Sequence, residues 1–373
     1  MTERYDIAII GAGPAGAMSA YRCAQHGAAV LLVDKARFPR AKTCGGCLGG
    51  EAIGVLERAG LATVHRSCDA QPLHALRLAT AGRSANVPLA GGFAVSRRRF
   101  DHALVQTAVA AGVTFHDDTN AVVSHDNRVM LRHRGDGNNG GASRQVHARV
   151  LMVADGIAGT CLADRPGFDW HVARRARVGF GAVLPGVGSG YEPGVIHMAV
   201  GRAGYVGVVE VEGGQLDIAA AVDARAMQQL CGPAATAARL LHDAGLPAID
   251  GLNDASWRGT PWLTRHRRRV ADDGLLLIGD ATGYVEPFTG EGIGWALCSA
   301  EAATPLALNA IAKPAMAHRW TKHHRQLFAA RHRRCRLIAT LLRRPALMRL
   351  AVALLDQRPA LAHPITRRLA LGA

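Results

Sequence analysis

The sequence predicts an α/β fold with three parts: a Rossmann-like dinucleotide-binding domain with a parallel sheet and a β-meander, a mostly antiparallel β domain, and a helical C-terminal extension. Three observations carry this. Strand, glycine turn, helix, strand and acid follow one another within residues 5–34. Two later buried runs end in Asp155-Gly156 and Gly279-Asp280. Between them, residues 160–270 hold short apolar runs punctuated by glycines, the pattern of antiparallel strands. The 373 residues are 49% hydrophobic and 20% charged, with 43 Gly and 16 Pro, which suffices for two or three buried cores and excludes disordered or collagen-like chains.

Taken in order, Tyr5 to Ile10 is a β-branched run that stops at Gly11-Ala12-Gly13-Pro14-Ala15-Gly16. Ala17 to His26 has helical composition, Gly27 closes it, and Ala29 to Val33 is a second strand ending in Asp34. Gly11 permits the tight turn, Gly13 lets backbone approach a pyrophosphate, and Gly16 lets helix pack on strand. The helix N-terminus turns free N–H groups and its dipole toward the phosphates. Asp34 is placed to accept from ribose hydroxyls, and Lys35 follows it. The loop from Lys35 to Gly50 is basic and glycine-rich, with Arg37, Arg40 and Lys42 before Cys44-Gly45-Gly46-Cys47. Glu51 to Ala59 reads as a helix, and a further helix opens at Phe100-Asp101 behind Arg97-Arg98-Arg99 and runs through Ala111.

Thr114 to Val153 alternates as strands around a turn signal at 135–141, a meander that rejoins the parallel sheet at Val150 to Val153. Arg177 to Phe180, Tyr205 to Val211 and Leu216 to Ala219 are strands of the second layer, interrupted by a helix at 235–244. Leu275 to Ile278 returns the chain to the first layer, and Trp295 to Ala302 is a helix. This places residues 1–70, 95–160 and 271–312 in the dinucleotide domain, 71–94 and 161–270 in the substrate domain, and 313–373 in the extension.

The charge is concentrated. Lys and Arg number 44 against 29 acids, a net +15, and the stretch from His318 onward holds thirteen Lys/Arg and the single acid Asp356. A basic tail suits nucleic acid, anionic lipid, or an acidic partner such as a carrier protein or a CoA ester; it also suits a plain solvated helical face. Its Leu- and Ala-rich, aromatic-poor composition fits an amphipathic helix better than a base-stacking surface. Pro345, Pro359 and Pro364 divide it into short helices, with Arg331, Arg333, Arg334, Arg336, Arg343 and Arg344 expected outward. His318, His323, His324 and His332 are expected on the polar face, since no zinc-type cluster accompanies them, and no metal is expected. No apolar run of spanning length occurs, because Arg343, Arg344 and Arg349 break Leu337 to Leu355. Met1 leads directly into the first strand, so a cytoplasmic protein is expected, peripheral to a membrane where the tail binds lipid. The eight scattered cysteines are expected as reduced thiols.

The unit at residues 5–34, Asp155-Gly156 and Gly279-Asp280-Ala281 together resemble the FAD-dependent oxidoreductases of the p-hydroxybenzoate hydroxylase type. Local wording is most similar to the geranylgeranyl reductase branch. Lys42-Thr43-Cys44-Gly45 resembles its Lys-Pro-Cys-Gly signature, Arg97 to Asp101 its Arg-x-x-Phe-Asp helix start, Gly290-Glu291-Gly292-Ile293 after Pro287-Phe288-Thr289 its flavin-facing loop, and Gly204-Tyr205-Val206-Gly207 its substrate-sheet strand. Gly294 stands where hydroxylase relatives carry Asn, and Trp257 and Trp262 do not form the Trp-x-Trp of the halogenases.

The resemblance implies FAD held by Gly11, Ala12, Gly13, Pro14, Ala15, Gly16, Asp34, Lys35, Cys44, Gly45, Arg97, Asp155, Gly156, Gly279, Asp280, Gly290, Gly292 and Ile293. Asp280 would accept from the ribityl hydroxyls, and the helix after Gly290 would face the pyrimidine edge with its N-terminus. Cys44 and Glu291 are the candidate catalytic residues. Cys44 and Cys47 remain open between a redox disulfide, one functional thiol at Cys44, and two small loop residues. Only one dinucleotide fingerprint occurs, so NAD(P)H would dock transiently as reductant, or a separate reductase would supply electrons. The implied activity is double-bond reduction or monooxygenation of a lipophilic, polyketide or prenyl-type substrate. The alternative is a non-catalytic flavoprotein that binds nucleic acid through the tail.

Overall fold

A computed structural model of the chain describes residues 3–124, 128–134, 143–186, 190–286, 288 and 290–358. Its first sheet runs in the order Ala271–Asp272, Leu275–Leu277, Arg144–Val153, Glu3–Ile10, Val30–Val33, Thr114–His116, parallel except for the first pair. Ile7 faces Val150 on one side and Val30 on the other. Ile7 to Ile10, Val30 to Val33 and Val150 to Val153 are buried throughout, which is why these runs are continuously apolar and not alternating: the mutually packed helices Pro14–Gln25, Arg97–Ala110 and Gly292–Ala312 share one core with this sheet, to which the meander adds Val123, Val129, Leu131 and Val146. The meander is Thr119–Val123, Arg128–His133 and Arg144–Val153, and the last strand is long enough to serve both the meander and the parallel ladder. The turn expected at 135–141 lies outside the described residues.

The second sheet has the order Arg258–Trp262, Val178–Pro185, Gln215–Val222, Gly204–Val211, Val195–Gly201, Ala75–Thr80, Arg83–Pro88, and only the pair Val195–Gly201 with Ala75–Thr80 is parallel. Its middle strands sort their side chains by face. Val206, Val208, Leu216, Ile218, Ala220 and Val222 pack with Leu240 and Leu241 of the helix Pro233–Ala244. Tyr205, Gly207, Asp217 and Ala219 face the other way, into a cavity between this sheet and the dinucleotide domain.

Several helices begin earlier than expected. The helix expected from Phe100 begins at Arg97, because Ser96 caps it by accepting from the Arg99 N–H. The one expected at Trp295 to Ala302 spans Gly292–Ala312 and passes Pro305; it is apolar on most sides and buried over its first half, so its period gives little boundary signal. The extension forms Arg319–Leu341 and Pro345–Gln357, with Pro345 at the first turn of the second helix as the sequence predicts. Pro359 and Pro364 lie outside the described residues. Trp320, wholly buried, donates from Nε1 to the Leu277 carbonyl and pins the extension to the first sheet.

The inner side of the extension is not the one expected. Arg331 pairs with Glu51, and Arg343 pairs with Asp223 at 2.9 Å and donates to the Arg175 carbonyl, so both turn inward while Arg333, Arg334, Arg336 and Arg344 stay exposed. His324 and His332 also leave the polar face: His324 reaches the Thr282 hydroxyl, and His332 packs on Trp295 and Phe328. Trp295 on the Gly292–Ala312 helix draws His332 in, while Trp320 and Phe328 of its own helix flank His324. No described helix is long and apolar enough to cross a membrane.

Candidate functional site

The cavity between the two sheets encloses about 490 Å³ and touches every motif singled out in the sequence. One end is the glycine turn. Gly11 sits at φ +103°, and a Cβ there would come within 2.3 Å of the Ala154 carbonyl, so only glycine closes this turn. Gly16 is excluded from bearing a side chain by the Gly11 carbonyl, 1.8 Å from where its Cβ would lie; its work is packing, and it does not line the cavity. Gly13 is the N-cap of the helix Pro14–Gln25, and beyond its missing Cβ stand only Arg97 and Arg40, 3.6 and 3.8 Å away. Asp101, wholly buried, aims both guanidiniums: it takes Nε and Nη2 of Arg97 at 2.8 and 2.7 Å and Nη1 of Arg40 at 2.9 Å. Helix N-terminus and two arginines therefore converge on one anion-binding cradle.

Asp34 accepts from the Ala12 N–H at 2.8 Å and the Ala36 N–H at 2.9 Å and also lines the cavity. Ala12 itself is behind the wall. Lys35, Pro14, Ala15, Gly156 and Asp155 complete this end. Burial raises the Asp155 carboxyl above its ordinary range; Oδ2 accepts from the Cys161 N–H at 3.2 Å, and buried Oδ1 has no hydrogen-bond partner among the described residues.

In the middle, Asp280 is pushed up to about 6 by burial, against the pull of Lys42 and Arg97. Lys42 is held below its ordinary value, first by burial and then by Arg97 and Arg40. Gly279 lies behind the wall, its φ +56° leaving Ala15 2.9 Å from where a Cβ would be. Gly290, Gly292 and Ile293 line the cavity opposite Cys44 and Gly45. Glu291 does not. It precedes the helix Gly292–Ala312 outside the cavity lining, and its charge adds to the burial that pushes the Cys335 thiol up, so its expected catalytic place is corrected.

Cys44 and Cys47 are both free thiols. Burial raises Cys44, and the Arg97 guanidinium opposes that. Cys47 donates to the Gly45 carbonyl at 3.0 Å, and burial with the neighbouring Cys44 and Asp217 drives its thiol far up. The far end is apolar, walled by Leu76, Leu89, Ile196, Met198, Val209 and Phe288.

Several polar residues of the cavity are missing from the sequence reading: Arg40 and Lys42 as site groups, and Asp217, Glu286 and Tyr284 entirely. Asp217 had a signal, an acid inside an apolar strand on the same face as small Ala219. Glu286 is held by Arg177 at 2.9 Å, a pair buried on both sides that no local pattern announces.

Residues 4–308 match the family model described as FAD binding domain. The chain is 30% identical over 332 residues to menaquinone reductase of Mycolicibacterium smegmatis, covering 80% of this chain and 75% of that protein. It is 28% identical to digeranylgeranylglycerophospholipid reductase 2 of Methanopyrus kandleri, over 82% of this chain and 78% of that one. Among solved structures it resembles a geranylgeranyl bacteriochlorophyll reductase-like protein of Thermoplasma acidophilum at TM-score 0.78 and 19% identity, over 96% and 93% of the two chains. These relatives are named as reductases, so the alternative of a non-catalytic nucleic-acid-binding flavoprotein has no support. The cavity fits FAD on its own chemistry: a cationic cradle at a helix N-terminus for the diphosphate, and Asp155 Oδ1, without a hydrogen-bond partner among the described residues, as an acceptor for a hydroxyl.

Proposed function

The chain belongs to the FAD-binding-domain family and is an FAD-dependent oxidoreductase, and from that premise we propose that it reduces a carbon–carbon double bond in a lipophilic, prenyl-type substrate. The observation that carries this reading is the cavity itself, which continues from the cationic cradle into an apolar chamber beneath the second sheet. Two of the relatives, by their names, act on menaquinone and on a digeranylgeranyl lipid. When bound, FAD supplies the two electrons as a hydride. The protein's own groups do the rest. Arg40 and Arg97 hold the diphosphate, Asp155 and Asp280 accept from hydroxyls, and Leu76, Ile196, Met198 and Phe288 exclude water from the substrate chain. Cys44 forms the wall between cradle and chamber. NAD(P)H is the proposed electron donor, docking transiently because the sequence carries one dinucleotide fingerprint.

The protein is further proposed to work at an anionic membrane surface, where such a substrate resides. Exposed Leu337, Leu341, Leu347, Leu350 and Leu354 support this, set among exposed arginines on the two C-terminal helices.

The test is anaerobic reduction by NADH and NADPH, followed by flavin absorbance, then mixing with a polyprenyl quinone or with oxygen and mass analysis of the product. A gain of two hydrogens in the prenyl chain, retained after the quinol ring is reoxidised to the quinone, is expected. A product that has gained an oxygen atom overturns the reading in favour of monooxygenation.

A further inference from the structure

Among the groups that line the cavity, one acid stands apart from the flavin-binding set. Asp217 lies in the strand Gln215–Val222, whose neighbours Leu216 and Ile218 face the core, so alternation sends the Asp217 carboxyl to the cavity wall. It is 5% exposed. Its Oδ2 lies 3.0 Å from where a Cβ of Gly46 would stand, which sets it beside the Cys44–Cys47 loop. The groups that face it are Cys44, Cys47, Arg97 and Glu212. Among the described residues no hydrogen bond or ion pair to its carboxyl is formed.

Glu212 is the contrast. It too is buried, yet it accepts from the Ser96 N–H at 2.8 Å and the Ser96 hydroxyl at 2.5 Å, and Arg99 Nε stands 3.7 Å away. Two buried carboxyls in one neighbourhood differ in their donors: the Ser96 groups are spent on Glu212, and Asp217 is left without a donor that would favour its charged form. Burial and the Glu212 charge raise Asp217 well above the carboxylate range, with Arg97 opposing.

We propose that Asp217 is the acid that protonates the substrate carbon opposite the one that receives hydride. This rests on the double-bond reductase reading and names the missing proton source in it. The balance closes: the π bond breaks, hydride brings two electrons and one hydrogen to one carbon, and the Asp217 O–H bond breaks to give a proton to the other. The resulting carboxylate, facing Arg97, regains its proton from water when product leaves.

The experiment has two arms. In the first, Asp217→Asn and Cys44→Ser holoenzymes, reduced beforehand, are mixed anaerobically with a polyprenyl quinone in a single turnover, and transfer is read as saturation of a prenyl double bond by mass after the ring is reoxidised. Asp217→Asn is expected to keep FAD content and its rate of reduction by NAD(P)H within about twofold, and to lose at least about a hundredfold in transfer to substrate. In the second, infrared difference spectra of wild type minus Asp217→Asn are taken without FAD at neutral pH. A protonated carboxyl band that shifts in D2O is expected. Unchanged transfer in Asp217→Asn with loss in Cys44→Ser assigns the proton to the thiol and overturns the proposal, and so does the absence of the band. A wild type that leaves the prenyl double bonds of the quinone unsaturated overturns the reductase reading instead.

Discussion

The guanidiniums of Arg97 and Arg40 stand just beyond the missing Cβ of Gly13, where the proposed function seats the diphosphate. Gly13→Val fills that space with two methyls against guanidiniums 3.6 and 3.8 Å from the Cβ position. Purified Gly13→Val is expected to fold and to carry no FAD, checked by absorbance after FAD addition and by circular dichroism. Asp280 offers a second test with a definite sign. Its folded pKa of about 6 lies above the unfolded value, so between those values the unfolded chain has released a proton the folded chain retains. Stability without FAD therefore falls as pH rises to about 6 and stays lower above it. Asp280→Asn removes that loss: its FAD-free melting temperature is expected to exceed wild type at pH ~8 and to match it near pH ~4, while its FAD affinity falls. Cys44→Ser is expected to lower turnover with melting temperature unchanged, and Cys47→Ser, whose thiol is spent on the Gly45 carbonyl, to change turnover less.

The helix Arg319–Leu341 shows how an element can be legible in its existence and not in its orientation. Its helical composition is plain in the sequence, and so is the break before Pro345. Which side faces inward depends on Trp295 and Phe328, which lie 33 residues apart and meet only in the fold. That is why His324, His332 and Arg331 turn inward against expectation. The βαβ unit was readable for the opposite reason: the constraints on Gly11 and Gly16 are local and steric, so they are written into adjacent residues. Glu291 misled because a loop residue one position before a helix points wherever the loop's path sends it. Asp217 and Glu286 belong to a cavity assembled from strands far apart in sequence. The buried histidines carry a prediction of their own. Burial lowers His324 and His332 to about 4, with His332 acting on the first and Arg336, Arg331 and His266 on the second. Between about 6.5 and 4 the unfolded chain binds protons there that the folded chain refuses, so they subtract stability as pH falls. His332→Gln is expected to flatten that decline relative to wild type, read by tryptophan fluorescence in urea at a series of pH values.

At the scale of the whole molecule, the extension joins the cavity to the surface. Leu342, Met348 and Val352 on its inner side belong to one apolar cluster with Met198 and Tyr205, and Leu76, Ile196 and Phe288 pack against that cluster; all five line the cavity. The outer side carries Leu337 at 75% and Leu350 at 57% exposure, with Leu341, Leu347 and Leu354 beside them. Soluble surfaces rarely gather exposed leucines in this way, and these are set among Arg333, Arg334, Arg336, Arg344 and Arg349. Charge alone would suit any acidic partner, whereas leucines interleaved with arginines suit an anionic bilayer, whose headgroups take the guanidiniums while its acyl region takes the side chains. Two terms then predict two separable losses. Arg333→Glu with Arg334→Glu, or salt raised through ~0.1 M, where the Debye length is about 10 Å, weakens binding to vesicles of phosphatidylcholine with phosphatidylglycerol. Leu337→Ser with Leu350→Ser is expected to weaken it at least about tenfold in any salt, since burying a leucine side chain is worth roughly 1.5–3 kcal/mol and each is only partly gained at an interface. Both variants should keep FAD and full turnover on a short-chain, water-soluble analogue, because neither pair lines the cavity. Co-sedimentation decides it. Leucine variants that bind vesicles as wild type does would reduce the extension to a solvated basic face. Tighter capture by an acidic acyl carrier protein than by the vesicles would move the docking partner from lipid to protein.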